Sequence, residues 1–121
     1  MKCRVVFDNG RADGRFSSEG ELNCDGNAFS LEYVLDGDKC RLCYRGGILT
    51  QRRCGKVNLD MSFSENAETG CIIKDGDASG RIDIFTGKLN AVTDEGGVKV
   101  FVEYTLGGER STLRISAEAV N

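Results

Sequence analysis

Two Asp-Gly dipeptides, each flanked by runs in which apolar and polar residues alternate, constrain the fold more than any other feature of the chain. Asp25-Gly26 follows the run FSSEGELNC, residues 16–24, and Asp36-Gly37 follows the run that ends at Leu35. An Asp-Gly loop of two residues is typical of a tight hairpin, because both positions tolerate the positive φ of a type I′ turn. The sequence therefore predicts antiparallel strands joined in chain order.

The first loop predicts a register for the strands beside it. If Asp25 and Gly26 form the loop, the apolar faces of the two strands coincide. The predicted opposite pairs are Leu22 with Phe29, Gly20 with Leu31, Ser18 with Tyr33 and Phe16 with Leu35.

The second loop predicts a register in the same way. A loop of three residues would place Lys39 and Arg41 on the buried face, so the pattern favours the two-residue loop Asp36-Gly37. The predicted opposite pairs are Tyr33 with Cys40, Leu31 with Leu42, Phe29 with Tyr44, Glu32 with Arg41 and Val34 with Lys39.

This register bears on the Cys-x-x-Cys pair at Cys40 and Cys43. Residues three apart on a strand point to opposite faces, so Cys40 is expected inside and Cys43 outside beside Ser30. The two thiols then cannot share a metal ion or a disulfide, and we predict no metal site and no cofactor. Six cysteines without a secretion signal favour reduced thiols and a cytoplasmic protein.

The second half of the chain continues the alternating pattern. VNLDMSF is expected to turn Val57, Leu59, Met61 and Phe63 inward, and a loop over residues 64–70 leads to a strand at 71–74. DGDASG, residues 75–80, is interpreted as a β-turn, because an EF-hand would need flanking helices and a glutamate at its twelfth position. Phe85 breaks the alternation in the manner of a bulge.

The last two hairpins have the clearest alternation. Glu95-Gly96 is expected to place Leu89, Ala91 and Thr93 opposite Val102, Val100 and Val98. A four-residue loop, GGER, is expected to place Leu106 opposite Ser111, Tyr104 opposite Leu113, Val102 opposite Ile115 and Val100 opposite Ala117.

Together these patterns predict an all-β fold. Nine or ten strands follow one another as an antiparallel up-and-down meander, and closure into a barrel of about 8–10 strands would remove the exposed edges. The 121 residues suit one domain, residues 1–121. No apolar run approaches the roughly 20 residues that cross a bilayer, so no membrane contact is expected.

Composition narrows the classes of function. The chain has no histidine, and no nucleophile motif, P-loop or dinucleotide-binding glycine pattern occurs, so we expect no enzyme and name no catalytic residue. The net charge is −3, yet Lys39, Arg41, Arg45, Arg52, Arg53 and Lys56 lie in a stretch without any acidic residue between Asp38 and Asp60.

Two segments carry a family resemblance. RRCGKVNLDMSF with its Arg-x-Gly at Arg53 and Gly55, a glycine turn at Gly80, and EGGVKVFVEYTLGGERSTLRISAEA resemble the closing two-thirds of the YwiB-like bacterial proteins. The resemblance implies a calycin-like, lipocalin-type barrel. It implies no activity, because the function of that family is unknown.

A barrel of this kind suggests a binding protein for a small, anionic ligand. In ILTQRRC either Leu49, Gln51 and Arg53 or Ile48, Thr50, Arg52 and Cys54 face inward, and an inward arginine can anchor a carboxylate or phosphate. Alternatively, Arg53 closes the barrel end against a carboxylate or backbone carbonyls. The expected ligand-binding residues, in the interior or at the mouth, are Arg53, Tyr33, Tyr44, Phe29, Leu42 and Gln51.

Two other functions stay open. The basic stretch, residues 39–56, could bind RNA or another polyanion, although the negative net charge disfavours a nucleic-acid partner and neighbouring acids such as Glu32 could neutralise the stretch. A structural or assembly role is also open, in which the barrel docks another protein or forms a homo-oligomer. Apolar residues off the main alternation could form such a surface: Val6, Val34, Phe85, Val92 and Phe101.

Overall fold

The chain folds into a closed antiparallel barrel. In the computed structural model, which describes residues 1–10 and 14–120, every strand pairs with its neighbours in chain order and β1 pairs with β10. The ten strands are β1 (Lys2–Asp8), β2 (Arg15–Asp25), β3 (Ala28–Leu35), β4 (Asp38–Arg45), β5 (Ile48–Cys54), β6 (Asn58–Ser64), β7 (Ala67–Asp75), β8 (Ala78–Asp94), β9 (Gly97–Leu106) and β10 (Glu109–Ala119). The predicted all-β meander and its closure are confirmed.

The second Asp-Gly hairpin has the predicted register. Asp36 and Gly37 form its loop with φ of 50° and 83°, as a type I′ turn requires. Cys40 is buried inside the barrel, and Cys43 lies on the outer face opposite Ser30. The two thiols of the Cys-x-x-Cys pair therefore point to opposite faces.

The predicted register of the first hairpin is wrong by two residues. Asp25 pairs with Ala28, so the loop is Gly26-Asn27, and Leu22 lies opposite Leu31 instead of Phe29. Gly26 has a φ of 62° while Asp25 stays in the strand, so the glycine alone supplies the left-handed conformation. A shift of two residues leaves every side chain on its face, so alternation could not detect it.

The predicted four-residue loop of the last hairpin is also wrong. Leu106 pairs with Glu109 rather than Ser111, because Gly107 and Gly108 both have positive φ and form a two-residue turn. The observed pairs therefore differ by two residues from those predicted: Tyr104 with Ser111, Val102 with Leu113, Val100 with Ile115 and Val98 with Ala117. The hairpin at Glu95-Gly96 has the predicted register.

Three predictions in the middle of the chain are wrong. Val57 precedes β6 and is exposed, because it lies in the connection that follows Gly55. β7 already begins at Ala67, since Asn66 adopts a left-handed φ of 59° that permits a tight turn. The bulge lies between Thr86 and Lys88, so Phe85 keeps the regular outward orientation.

The turns between strands define the two ends of the barrel. We call the end with the turns at residues 36–37, 76–77 and 107–108 the open end, and the other end, with the turns at 26–27, 46–47 and 95–96, the closed end. The middle of the barrel is filled, since side chains with 0% exposure leave no room for a water molecule against them. These side chains are Leu22, Leu31, Leu42, Leu49, Phe63, Ile84 and Val102.

Candidate functional site

The orientation of β5 places one arginine inside the barrel. Leu49 is fully buried opposite Tyr44, and the same face continues through Gln51 to Arg53 near the open end. Of the two orientations left open by the sequence, the structure therefore has Leu49, Gln51 and Arg53 inward. Arg52, the next residue on the strand, faces outward beside Asp60.

Arg53 is held by a single carboxylate. Its Nε donates to Asp38 Oδ2 at 2.7 Å, and the two side chains are 31% and 24% exposed. This hydrogen bond raises the pKa of Arg53, and partial burial acts in the opposite direction. Among the described residues no other protein acceptor contacts the guanidinium, so its two terminal amino groups remain available to a ligand at the open end.

Gly55 explains the Arg-x-Gly spacing. A Cβ atom at Gly55 would overlap the carboxylate of Asp38, with Oδ1 as its nearest atom. Glycine therefore leaves the space that Asp38 occupies while it holds Arg53. In this motif Arg53, near the end of β5, forms an ion pair with Asp38 at the start of β4, and Gly55 leaves the space that the Asp38 carboxylate needs.

A second polar pair lies beside the first. Gln51 Nε2 donates to Tyr33 Oη at 3.2 Å, and Tyr33 is 4% exposed. Burial raises the pKa of Tyr33 to about 12, although the hydrogen bond from Gln51 lowers it. Tyr33 is therefore neutral at physiological pH, and its hydroxyl and the Gln51 amide form a neutral polar patch next to the charged Arg53.

Half-buried apolar side chains lie at the same end of the barrel as these polar groups. They face inward near the open end and remain partly accessible, in contrast to the filled middle of the barrel. We call this set the open-end ring: Phe7, Leu35, Leu59, Ile73, Ile82 and Leu106. Phe7 also stacks on Phe16, with ring centroids 4.9 Å apart.

The sequence did not indicate that most of the ring, or Asp38, belongs to the site. Alternation does predict that these apolar residues face inward. Their partial exposure depends on where the strands end around the closed barrel, which no local pattern contains.

The other expected ligand-binding residues lie away from Arg53. Leu42 is fully buried in the filled middle, and Phe29 stacks on Tyr44 toward the closed end with centroids 5.9 Å apart. The structure therefore brings Tyr33, Gln51 and Arg53 together. It places Phe29, Leu42 and Tyr44 in the packed core and its border, not beside them.

The basic stretch forms part of the outer surface. Arg41 lies opposite Arg52, and each arginine has an acid on the next strand beside it. Glu32 Oε1 is 3.9 Å from Arg41 Nε, and Asp60 Oδ2 is 3.4 Å from Arg52 Nε. A depression of about 480 Å³ lies here, lined by Glu19, Glu32, Tyr33, Val34, Lys39, Cys40, Arg41, Arg52 and Cys54. Tyr44 is half-buried and lines another depression together with Arg41 and Arg45.

The cysteines and carboxylates give no metal-like cluster within residues 1–10 and 14–120. Burial raises the pKa of the Cys3, Cys40 and Cys71 thiols, which makes them poorer nucleophiles and metal ligands than exposed thiols. The part of the chain that the structure describes also contains no helix long and apolar enough to span a bilayer.

Comparison with known proteins agrees with this architecture. Residues 4–115 match the family described as "Domain of unknown function (DUF1934)". The barrel is similar to the crystal structure of the ywiB protein from Bacillus subtilis, with a TM-score of 0.81 and 18% sequence identity over 99% of this chain and 91% of that one. No curated protein matches the chain. At this identity the structural likeness concerns the fold alone.

Proposed function

The chain belongs to the DUF1934 family, a domain of unknown function, and from its geometry we propose a non-enzymatic binding protein that takes a small amphipathic anion at its open end. The single observation that carries this proposal is the position of Arg53. Its side chain faces inward at the same end of the barrel as the half-buried apolar ring, with only Nε engaged by Asp38.

The two kinds of surface suggest the two parts of the ligand. The open-end ring offers apolar area to a hydrocarbon body, and each buried CH₂ group contributes about 0.8 kcal/mol. The terminal amino groups of Arg53 offer a fork to a carboxylate or phosphate head. The filled middle of the barrel limits the depth of entry, so the ligand is short or binds with one end in solvent.

The first test asks whether the purified protein carries a ligand. Native mass spectrometry of freshly purified protein, compared with its denatured mass, is expected to reveal a bound anion that disappears on denaturation. In parallel, calorimetric titration with decanoate, a carboxylate with an apolar chain, is expected to show binding. Decanol, which lacks the charge, is expected to bind more weakly.

Arg53→Gln is expected to weaken decanoate binding by about tenfold to a hundredfold, as for the loss of a hydrogen bond to a charged group. Two variants serve as controls. Arg52→Gln removes the neighbouring outward arginine and should not change the affinity. Asp38→Asn removes the same ion pair but keeps the Arg53 guanidinium. Decanoate should therefore bind to this variant at least as tightly as it binds to wild type.

The controls separate anchoring from a structural role. If Arg53 only closes the barrel end, Asp38→Asn and Arg53→Gln should lower the melting temperature and decanoate affinity alike. Equal affinity of wild type and Arg53→Gln, or no bound mass together with no decanoate binding, would contradict the proposal.

A second candidate is polyanion binding at the outer depression lined by Lys39, Arg41 and Arg52. The pairing of Arg41 with Glu32 and of Arg52 with Asp60 weakens this alternative, because both cations already face an acid. Its signature would be binding of single-stranded RNA that falls steeply with added salt. We place the proposed binding function in the cytoplasm, on the basis of the thiol-rich composition.

A further inference from the structure

The second half of β8 has one unpaired edge. Up to Thr86 the strand pairs with β7, and Asn66 N donates to Thr86 O at the last step. After the bulge between Thr86 and Lys88, β8 pairs with β9 alone. Among the described residues, no strand pairs with the other side of Lys88–Asp94, which we call the β8 edge.

The direction of the backbone groups on this edge follows from the neighbouring hairpins. Leu106 and Glu109 close a two-residue turn as a hydrogen-bonded pair, and Ala119 N donates to Gly96 O at the far end of the same ladder. Even-numbered residues of β9 therefore bond to β10 and odd-numbered ones to β8. It follows that Leu89, Ala91 and Thr93 direct their N–H and C=O groups away from β9, toward the unpaired side.

An unpaired edge of this kind is a template for another strand. Natural barrels avoid exposed edges by closure, and other folds block them with proline, inward charges, edge lysines or bulges. The β8 edge has a bulge and Lys88 at its first step, but beyond them it has no proline and no inward charge, since its inward residues are Leu89, Ala91 and Thr93. On the outer face of the same segment, Val92 is 49% exposed and lies between the exposed residues Asn90 and Asp94.

The edge is complementary to itself. In an antiparallel pair of two copies with Ala91 opposite Ala91, all seven residues overlap, and Lys88 of each copy lies opposite Asp94 of the other. Leu89 lies opposite Thr93. The three residues whose N–H and C=O groups face the unpaired side therefore lie opposite one another, as a hydrogen-bonded ladder requires. Two-fold registers centred on Asn90 or Val92 shorten the overlap and lose the charge pairs.

We propose that two copies of the chain associate through the β8 edge, by antiparallel two-fold pairing centred on Ala91. Each copy then contributes three residues that exchange backbone hydrogen bonds, and the two barrels share one continuous sheet across the contact. Lys88, whose ammonium lies 5.8 Å from the Phe101 ring centroid, must turn toward the partner to meet Asp94. Asp94 keeps Oδ1 on the Gly96 N–H and offers its other oxygen.

The occupant is a second copy because the spacing Lys-x-x-x-x-x-Asp, when paired antiparallel with itself, places opposite charges at both ends of the overlap. An unrelated extended peptide could use the same backbone groups, but nothing on the β8 edge selects it. The pairing is short, so we expect a dimer that dissociates on dilution.

Sedimentation velocity over a range of concentrations tests the proposal. Wild type is expected to shift from monomer to dimer as concentration rises. Ala91→Pro removes an N–H that faces the partner and no bond to β9, so this variant should stay monomeric with an unchanged circular dichroism spectrum. A wild type that stays monomeric at its solubility limit, or a folded Ala91→Pro variant that dimerises equally well, would overturn the proposal.

A charge-swap experiment stands even if the proline variant fails to fold. Lys88→Glu places acids at both ends of the edge, and Asp94→Lys places cations at both ends. Each variant alone should dimerise more weakly than wild type by about fivefold or more, whereas a mixture of the two should form mixed dimers. Native mass spectrometry distinguishes these by mass, and dimers of each variant alone at wild-type strength would contradict the register.

Discussion

At the scale of single residues, the open end depends on two polar pairs with different tasks. Asp38 holds Arg53 through one Nε bond and needs the space above Gly55 to do so. Gln51 and Tyr33 form a neutral pair whose hydroxyl stays protonated because it is buried. Loss of either pair leaves a partly buried polar group without its partner, which costs more than the net value of the bond itself.

The raised pKa of Tyr33 predicts a loss of stability at alkaline pH. An unfolded tyrosine ionises near pH 10, while the folded protein holds the proton until about pH 12. Below pH 10 the effect is fully present, and as pH rises from about 10 to 12 the free energy of unfolding should decrease by about 2 kcal/mol.

Urea unfolding of wild type and Tyr33→Phe at several pH values checks this expectation. The variant should lose about 1 kcal/mol at neutral pH, because Gln51 loses its acceptor, and should show a shallower decrease above pH 10. The buried thiols, whose pKa values are also raised, titrate in both proteins and cancel in the difference. Parallel pH profiles would show that Tyr33 does not carry the alkaline loss.

At the scale of strands and hairpins, the tight turns set the local register and close contacts between strands restrict certain residues. At the start of β9, Gly97 has a φ of 153°, and a Cβ atom there would overlap the carbonyl oxygen of Ala117 on β10. Its neighbour Gly96 does not have a left-handed φ. A Cβ atom at Gly96 would have one close neighbour, Asp94 Oδ1, at an ordinary contact distance of 3.5 Å. The close approach of β10 therefore requires glycine at position 97, whereas position 96 has room for a Cβ atom.

This contrast gives a matched pair of variants. Gly97→Ala should reduce the free energy of unfolding by about 2–4 kcal/mol, because the strand must move away from β10 or strain its backbone. Gly96→Ala should change it by less than about 1 kcal/mol. Urea denaturation measures both, and equal effects would show that the β9–β10 contact yields without cost.

At the scale of the whole molecule, closure of the sheet produces a barrel that is filled through its middle and has half-buried apolar side chains toward both ends. Strand β8 is longer than its neighbour β7, with 17 residues against 9, so its second half extends past β7 toward the closed end. Thr93 Oγ1 donates to Gly26 O, which ties the β8–β9 hairpin to the β2–β3 turn at the closed end. The proposed ligand site and the proposed dimer contact thus lie at opposite ends of the barrel and can be tested separately.

The two levels of packing predict different costs for the same substitution. Leu42→Ala, in the filled middle, should lower the free energy of unfolding by about 3–5 kcal/mol, because a cavity replaces a side chain with 0% exposure. Leu35→Ala, in the open-end ring, should cost about 1–2 kcal/mol, since solvent or a ligand already reaches that side chain. Equal losses in chemical denaturation would mean that the open end is packed like the middle.

By itself the sequence determined which face of each strand is buried, because side chains alternate with a period of two and the apolar residues follow it. It also predicted the meander, the registers of the hairpins at Asp36-Gly37 and Glu95-Gly96, and the inward position of Tyr33. Registers that differ by two residues keep the same faces, so the choice of Gly26-Asn27 and Gly107-Gly108 as loops depended on backbone conformations that the chain adopts only when neighbouring strands pair.

The candidate site was predicted only in part, for a related reason. Arg53, Gln51 and Tyr33 are predictable from the sequence, but the pattern of β5 permits two orientations, and the burial of Leu49 opposite Tyr44 distinguishes them. Asp38 meets Arg53 because the neighbouring strands β4 and β5 bring them together at the open end. Partial burial of the ring and the unpaired β8 edge arise from closure of all ten strands, which is a property of the tertiary structure and of no single segment.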